Sequence, residues 1–250
     1  MLRMALVGLV AGATLVAPAF AQTVDELIAK ANEARGGLDK MKAVQSVRLT
    51  GKMTMGPGLE VPVTIEMKRP KNARMEFSIQ GMTGVQAYDG QQAWGISPGG
   101  SQKAEPLPSE MAKDLENQAD IDGPLVDYKA KGHQVELVGK EKVEGTDAWK
   151  LKVTLKSGDV QHILLDADSY LEIKNESKRM VRGSEMEIES SFGDYKEAGG
   201  VLWPHSIQAG SKGRPEKQIL SFDKVEVNPA IADDRFKMPA PKPAEAPKPD

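Results

Sequence analysis

Cysteine is absent from all 250 residues. Disulfide scaffolds, thiol nucleophiles, thiolate metal sites and iron–sulfur ligation are excluded together by that one absence. Aromatic residues are scarce, at 5% of the chain, so few rings are available to line a binding surface. Neither sign of charge dominates: 33 Lys and Arg against 36 Asp and Glu give a net charge of −3, which offers no general attraction to nucleic acid. Long apolar runs are confined to the extreme N-terminus, and with a mean hydropathy of −0.42 the remainder is expected to be soluble.

The N-terminal run has the anatomy of a secretory leader. Arg3 supplies the positive start, Met4 to Val16 the apolar stretch, and Ala19-Phe20-Ala21 the small residues of a cleavage site. The run is too short to span a bilayer. Residues 1–21 are therefore read as a cleaved signal, and with no cysteine to carry a lipid the mature chain from Gln22 is expected to be exported and unanchored. Residues 239–250 place five prolines in twelve positions, which reads as a solvated, polyproline-like tail. The folded domain is expected over 22–238, with no internal repeat and no linker to split it.

The domain opens on a helix. Thr23 and Glu26 form a capping-box pair, Val24, Leu27, Ile28 and Ala31 recur on one face, and Gly36-Gly37 ends the run. A short helical turn over Leu38 to Ala43 follows. Period-two alternation then takes over: Val47, Leu49, Gly51, Met53 and Met55 oppose Arg48, Thr50, Lys52 and Thr54. Val61, Val63, Ile65 and Met67 repeat the pattern, as do Ala73, Met75, Phe77 and Ile79. Asp89-Gly90 marks a hairpin turn. Residues 99–133 interrupt the strands, with helical pieces expected near Pro108 to Ala119 and Pro124 to Lys131. Seven further strands are expected between Val135 and Val227. Connections this short permit only antiparallel neighbours, so the fold class is mainly β (α+β): one strongly curved antiparallel sheet, a partial barrel, wrapped around a few helices.

Residues able to carry chemistry do not converge. His133, His162 and His205 are far apart, and no serine or glycine-rich loop stands in a catalytic or phosphate-binding setting. Asp120-Ile121-Asp122 and Asp166-Ala167-Asp168 read as turn and cap residues, because aspartate hydrogen-bonds locally at such positions. No enzymatic activity, cofactor or metal is expected. Methionine says more: Met53, Met55, Met67 and Met75 share the inward face of three successive strands, and Met111 sits on the interrupting helix with Leu115. Such a lining suits apolar cargo of variable shape, and equally suits ordinary core filling.

Two short motifs then resemble those of the LolA-like periplasmic carriers: Lys68-Arg69-Pro70, and Asp89-Gly90 followed by Trp94 and Pro98 at fixed spacing. Asp194-Tyr195-Lys196 with Gly199-Gly200 and Leu202-Trp203-Pro204-His205, and the closing Asp233-Asp234-Arg235-Phe236, are similar to later motifs of the same family. The resemblance implies a half-barrel with a helical lid, made by the N-terminal helix and the 108–131 insertion, over an apolar cavity for acyl chains. Arg69 occupies the position of the family arginine that contacts the lid and couples its opening to cargo transfer. Trp94 is expected to pack. The cavity is expected to be lined by Val47, Leu49, Met53 and Met55, by Val63, Ile65 and Met67, by Met75, Phe77 and Ile79, and by Met111 and Leu115. Implied partners are an acylated lipoprotein or lipid cargo, an inner-membrane export complex and an outer-membrane acceptor, for a chain expected to be a periplasmic monomer. The alternative is a sensor or regulatory binding module like the RseB-type proteins.

Overall fold

A computed structural model describes residues 22–56, 58–181 and 184–240; the expected leader and tail positions 241–250 lie outside these. Helix α1 (Val24–Ala34) begins on the anticipated capping box, the Thr23 hydroxyl oxygen accepting the Glu26 N–H at 3.3 Å while Thr23 N–H donates to Glu26 Oε2 at 2.8 Å. Helix α2 (Leu38–Ala43) follows at once. A Cβ on Gly36 would lie 2.2 Å from the carbonyl oxygen of Gly200. The paired glycines at 36–37 and 199–200 thus let the end of α1 close onto a distant hairpin, where Leu202 N–H donates to Arg35 O at 2.8 Å.

The strands follow the alternation. They are β1 (Ser46–Thr54), β2 (Glu60–Lys68), β3 (Asn72–Ile79), β4 (Met82–Tyr88), β5 (Ala93–Ile96) and the two-residue β6 (Glu105–Pro106), then helix α3 (Ser109–Gln118). After the insertion come β7 (Gln134–Val143), β8 (Thr146–Thr154), β9 (Val160–Asp166), β10 (Glu172–Val181), β11 (Ser184–Ala198), β12 (Val201–Ser211) and β13 (Gln218–Val227). All thirteen form one antiparallel sheet in the order β6-β5-β4-β3-β2-β1-β13-β12-β11-β10-β9-β8-β7. β1 pairs with both β2 and β13, so the two ends of the domain meet mid-sheet and its edges fall at β6 and β7 on either side of the insertion. The sheet is not closed into a barrel.

The second helical piece is a correction. Residues 124–132 form consecutive turns, because Gly123 (φ +79°) and Asp127 (φ +50°) are both left-handed and a right-handed helix cannot run through them. β6 and the extension of β11 to Ala198 also go beyond the sequence reading.

The helices cover the inner face in three patches. Leu27, Ile28 and Ala31 of α1 pack on Leu151, Val153, Ile163 and Leu165 of β8 and β9. Met41 of α2 and Val44 pack on β1, β2, Trp203 and Phe222. Leu115 and Ala119 at the C-terminal end of α3 pack on Ala73, Tyr88 and Ala93. Each buried Leu, Ile, Val or Met side chain among these contributes about 1.5–3 kcal/mol. Loop residues Ile121 and Val126 join the second patch and Leu125 the first, which ties the insertion to both halves of the sheet.

Gly51 permits a bulge between β1 and β13. A Cβ there would lie 2.0 Å from the carbonyl oxygen of Ser221 and 2.7 Å from Cα of Phe222, both backbone atoms of the paired strand. With no flexible side chain to yield, Gly51→Ala is expected to cost about 1–3 kcal/mol, read as a lower urea midpoint at unchanged m.

The outer face is charged and strapped. Glu66 is buried between Arg48 (2.9 Å) and Arg235 (2.6 Å), and Lys68 holds Ile231 O at 2.7 Å and Asp233 at 2.5 Å. Trp94 lies in register with Ala87, Arg74 and Glu66 on this same outer face, where its indole N–H donates to Phe236 O at 2.7 Å. The closing Asp-Asp-Arg-Phe segment is therefore a strap across β2 to β5, with Phe236 buried beneath it.

Candidate functional site

The inner face of β1 to β3 carries most of the residues singled out above. Val47, Leu49, Met53 and Val63 are buried, and Met55, Ile65, Met67, Met75, Phe77 and Ile79 are half-buried against the same cluster. Leu115 is buried in the adjoining patch, which Met67 also touches, whereas Met111 is 40% exposed and belongs to no core patch. The far end of the Phe77 ring sits against its register partner Gly84 of β4, where a Cβ would stand 2.4 Å from Cζ.

Arg69, at the end of β2, reaches from the sheet to the helical layer. Its Nε donates to Val44 O at 2.7 Å and Nη2 to Met41 O at 3.2 Å, carbonyls at the C-terminal end of α2, of which Met41 O also accepts the N–H of the C-cap Val44 at 3.2 Å. Its other bonds form a two-pronged pair with the Asp122 carboxylate at 2.8 and 2.6 Å. Asp122 is 8% exposed, and its hydrogen bonds to Arg69 raise the guanidinium pKa further above its already high ordinary value. One side chain thus fastens sheet, α2 and insertion together.

Asp122 is held from the other side too. Arg35, the C-cap of α1, donates to Asp122 O at 3.0 Å and lies over the Trp203 ring at 6.0 Å. Beside it a cavity of about 30 Å³, room for one water, is bounded by Asn32, Arg35, Asp122, Leu125, Tyr170 and Glu172. Desolvation pushes the Glu172 carboxyl up to about 7 against the opposing pull of Arg35. The Tyr195 hydroxyl donates to Glu172 O at 2.7 Å, and burial raises its pKa as well. Farther along the insertion, Lys131 pairs with Asp120 and donates to Gly123 O at 2.7 Å.

The remaining candidates are engaged locally. Asp166 accepts the N–H groups of Asp168 (3.0 Å) and Ser169 (2.6 Å), the turn its position suggested. His133 Nδ1 accepts Lys156 N–H at 3.0 Å, and buried His205 bonds Phe222 O at 2.7 Å. Among the described residues no three His, Asp or Glu side chains converge as a metal site, and no helix is long and apolar enough to cross a membrane. Pro204 lies within β12, opposite Tyr195, while Asp89 caps its turn by accepting the N–H groups of Gln91 (3.0 Å) and Gln92 (2.8 Å).

Sequence reasoning missed Asp122, Arg35 and Glu172 as parts of one centre. A usable signal was present: an arginine expected to touch a lid needs an acid there, and Asp120-Ile121-Asp122 lies in the insertion assigned to that lid.

An open sheet with a one-sided helical cover and an apolar inner face defines a half-barrel. Solved structures share this architecture. They include a LolA superfamily protein from Nitrosomonas europaea (TM-score 0.58, 14% identity, covering 87% of this chain and 98% of that one). A DUF1329 family protein from Desulfovibrio piger gives 0.60, 14%, 87% and 98%. A domain described as belonging to an outer membrane lipoprotein-sorting protein of Vibrio parahaemolyticus gives 0.56, 14%, 84% and 94%. No family model and no curated protein sequence matches the chain. The fold is LolA-like.

Proposed function

We propose that the chain is a non-enzymatic, unanchored periplasmic carrier that shelters the acyl chains of lipoproteins or lipids on its inner face and shuttles them toward the outer membrane. The observation that carries this reading is the half-buried stripe of Met55, Met67 and Met75 with Ile65, Phe77 and Ile79, on neighbouring strands beneath helices fastened by Arg69. Methionine, unbranched and flexible, repacks around chains of differing length. Removing a sixteen-carbon chain from lipid costs on the order of 12 kcal/mol, and offsetting that takes roughly 500 Å² of apolar contact, which requires a concave seat. The structural likeness to a lipoprotein-sorting domain supports the reading. The leader at residues 1–21 supplies the route out of the cytoplasm.

Native mass spectrometry of protein purified from the periplasm, with lipid extraction, tests it. Bound acylated species are expected, released on denaturation. A homogeneous lipid-free chain that also refuses an acylated peptide would sink the carrier reading.

A further inference from the structure

One end of the half-barrel differs from the rest of its surface. At the β1–β2 turn Leu59 is 45% exposed, and at the start of β4 Met82 is 37% exposed. Gly99 of the 97–104 connection adjoins Met82, so these loops share one rim. Between the β1–β2 turn and the β12–β13 hairpin lies an open cleft of about 550 Å³, with Thr54, Met55 and Leu59 on one wall and Glu216, Lys217 and Gln218 on the other. It adjoins the inner face, for Gln218 Nε2 lies 3.1 Å from Met53 Sδ and Met55 packs on the inner cluster.

The charge of this rim is opposite to that of the whole chain. Its connections at 55–59, 80–81, 97–104 and 212–217 carry Lys103, Lys212, Arg214 and Lys217 against the single acid Glu216, in a protein of net charge −3. Lys212 and Lys217 also pair with Glu176, Glu187 and Glu189 of the outer face. Lys103 and Arg214 are exposed and make no ion pair among the described residues. The 55–59 tip itself has no charge, so it can enter an apolar layer without carrying one in.

Uncharged aliphatic tips beside cations match a bilayer surface bearing anionic headgroups, where the tips reach the acyl boundary and the cations remain at the phosphates. We propose that this rim is a membrane-docking face for anionic lipid bilayers, and that the adjoining cleft is the port by which an acyl chain passes between bilayer and inner face. The port rests on the carrier reading; the docking does not.

Flotation of the full chain with phosphatidylcholine vesicles, with and without phosphatidylglycerol, tests the docking. Binding is expected only with phosphatidylglycerol and should fall as salt is raised. Leu59→Asp should weaken it about tenfold or more. Lys103→Glu combined with Arg214→Glu should weaken it at least about 25-fold, at roughly fivefold for each cation lost and more for each acid gained. The same charge change at the far sheet edge, Lys140→Glu with Lys142→Glu, should leave binding nearly intact. All these side chains belong to turns or edges, and circular dichroism checks that each variant folds. Absence of binding to phosphatidylglycerol vesicles, or equal loss in the edge control, overturns the docking face, whatever protein the rim captures. A chain that floats but refuses acylated peptide would remove the carrier and the port while leaving docking. One that takes peptide from micelles yet never floats would overturn docking alone.

Discussion

Arg69→Leu is expected to lower the stability of the folded chain by about 3–5 kcal/mol, because it leaves the Asp122 carboxylate buried without its partner. The two side chains are not equally exposed, 26% for Arg69 and 9% for Asp122. Removing the acid instead leaves a guanidinium that still bonds Val44 O and reaches water, so Asp122→Ala should cost less. Removing both, as Arg69→Leu with Asp122→Leu, should recover most of the loss, since an apolar pair can replace an ion pair where a lone charge cannot remain. Urea unfolding of the three variants tests the set, and an Arg69→Leu protein as stable as the parent would refute the fastening.

The same magnitudes bear on the proposed transport. If opening the helical cover parts Arg69 from Asp122, both charges gain water as they separate, so the ionic part of the cost stays below the roughly 3–5 kcal/mol of stranding one charge in the fold, and well below the roughly 12 kcal/mol at stake in sheltering one sixteen-carbon chain. Cargo can therefore hold the cover open, and re-formation of the pair on emptying favours release. On this reading Arg69→Leu retains uptake and loses transfer to acceptor membranes. Folded Arg69→Lys, which keeps the charge but not the two-pronged geometry, should fall between.

Period-two alternation made most of the sheet readable, since a register slip by one residue would move Val47, Leu49 and Met53 from core to solvent. The capping box placed the first helix for a similarly local reason: Thr23 and Glu26 are three residues apart. What escaped was set by distance along the chain or by backbone handedness. Arg69 meets Asp122 across 53 positions, and Trp94 meets the Phe236 carbonyl across 142, separations at which one sequence offers candidates but no pairing. The strap was visible only as a motif, without the outer face it covers. Residues 124–131 were expected to be helical, and Gly123 before them was visible as a break, but nothing in the sequence told that Asp127 within the run is left-handed. Strand parity did contain the side on which Trp94 lies, since Ala93 and Gly95 fall on the other one.

The other large effect expected is a gain. Glu172 is held near pH 7 in the folded chain against an ordinary value of 4.5, with desolvation as the first cause and Arg35 opposing it. A carboxyl whose pKa rises on folding favours the protonated native state. Its ionisation therefore costs nothing below pH 4.5, costs progressively more as pH climbs from there to about 7, and exacts the full penalty above that. Glu172→Gln is nearly isosteric, and its amide oxygen can still face Arg35. It should stabilise the protein by on the order of 2–3 kcal/mol at pH 8 and by almost nothing at pH 4. The groups around the carboxyl do not reverse this sign. Asn175 Nδ2 donates to Glu172 Oε1 at 3.4 Å and, like Arg35, favours the ionised form, yet the two together fall short of the desolvation. Asp122 is already committed to Arg69, and the Tyr195 hydroxyl bonds the Glu172 carbonyl rather than its carboxylate. Thermal melts of both proteins across that range provide the measurement. A gain independent of pH would show that packing, not charge burial, governs the site, and a loss at pH 8 would mean that the Arg35–Glu172 attraction outweighs the cost of desolvation.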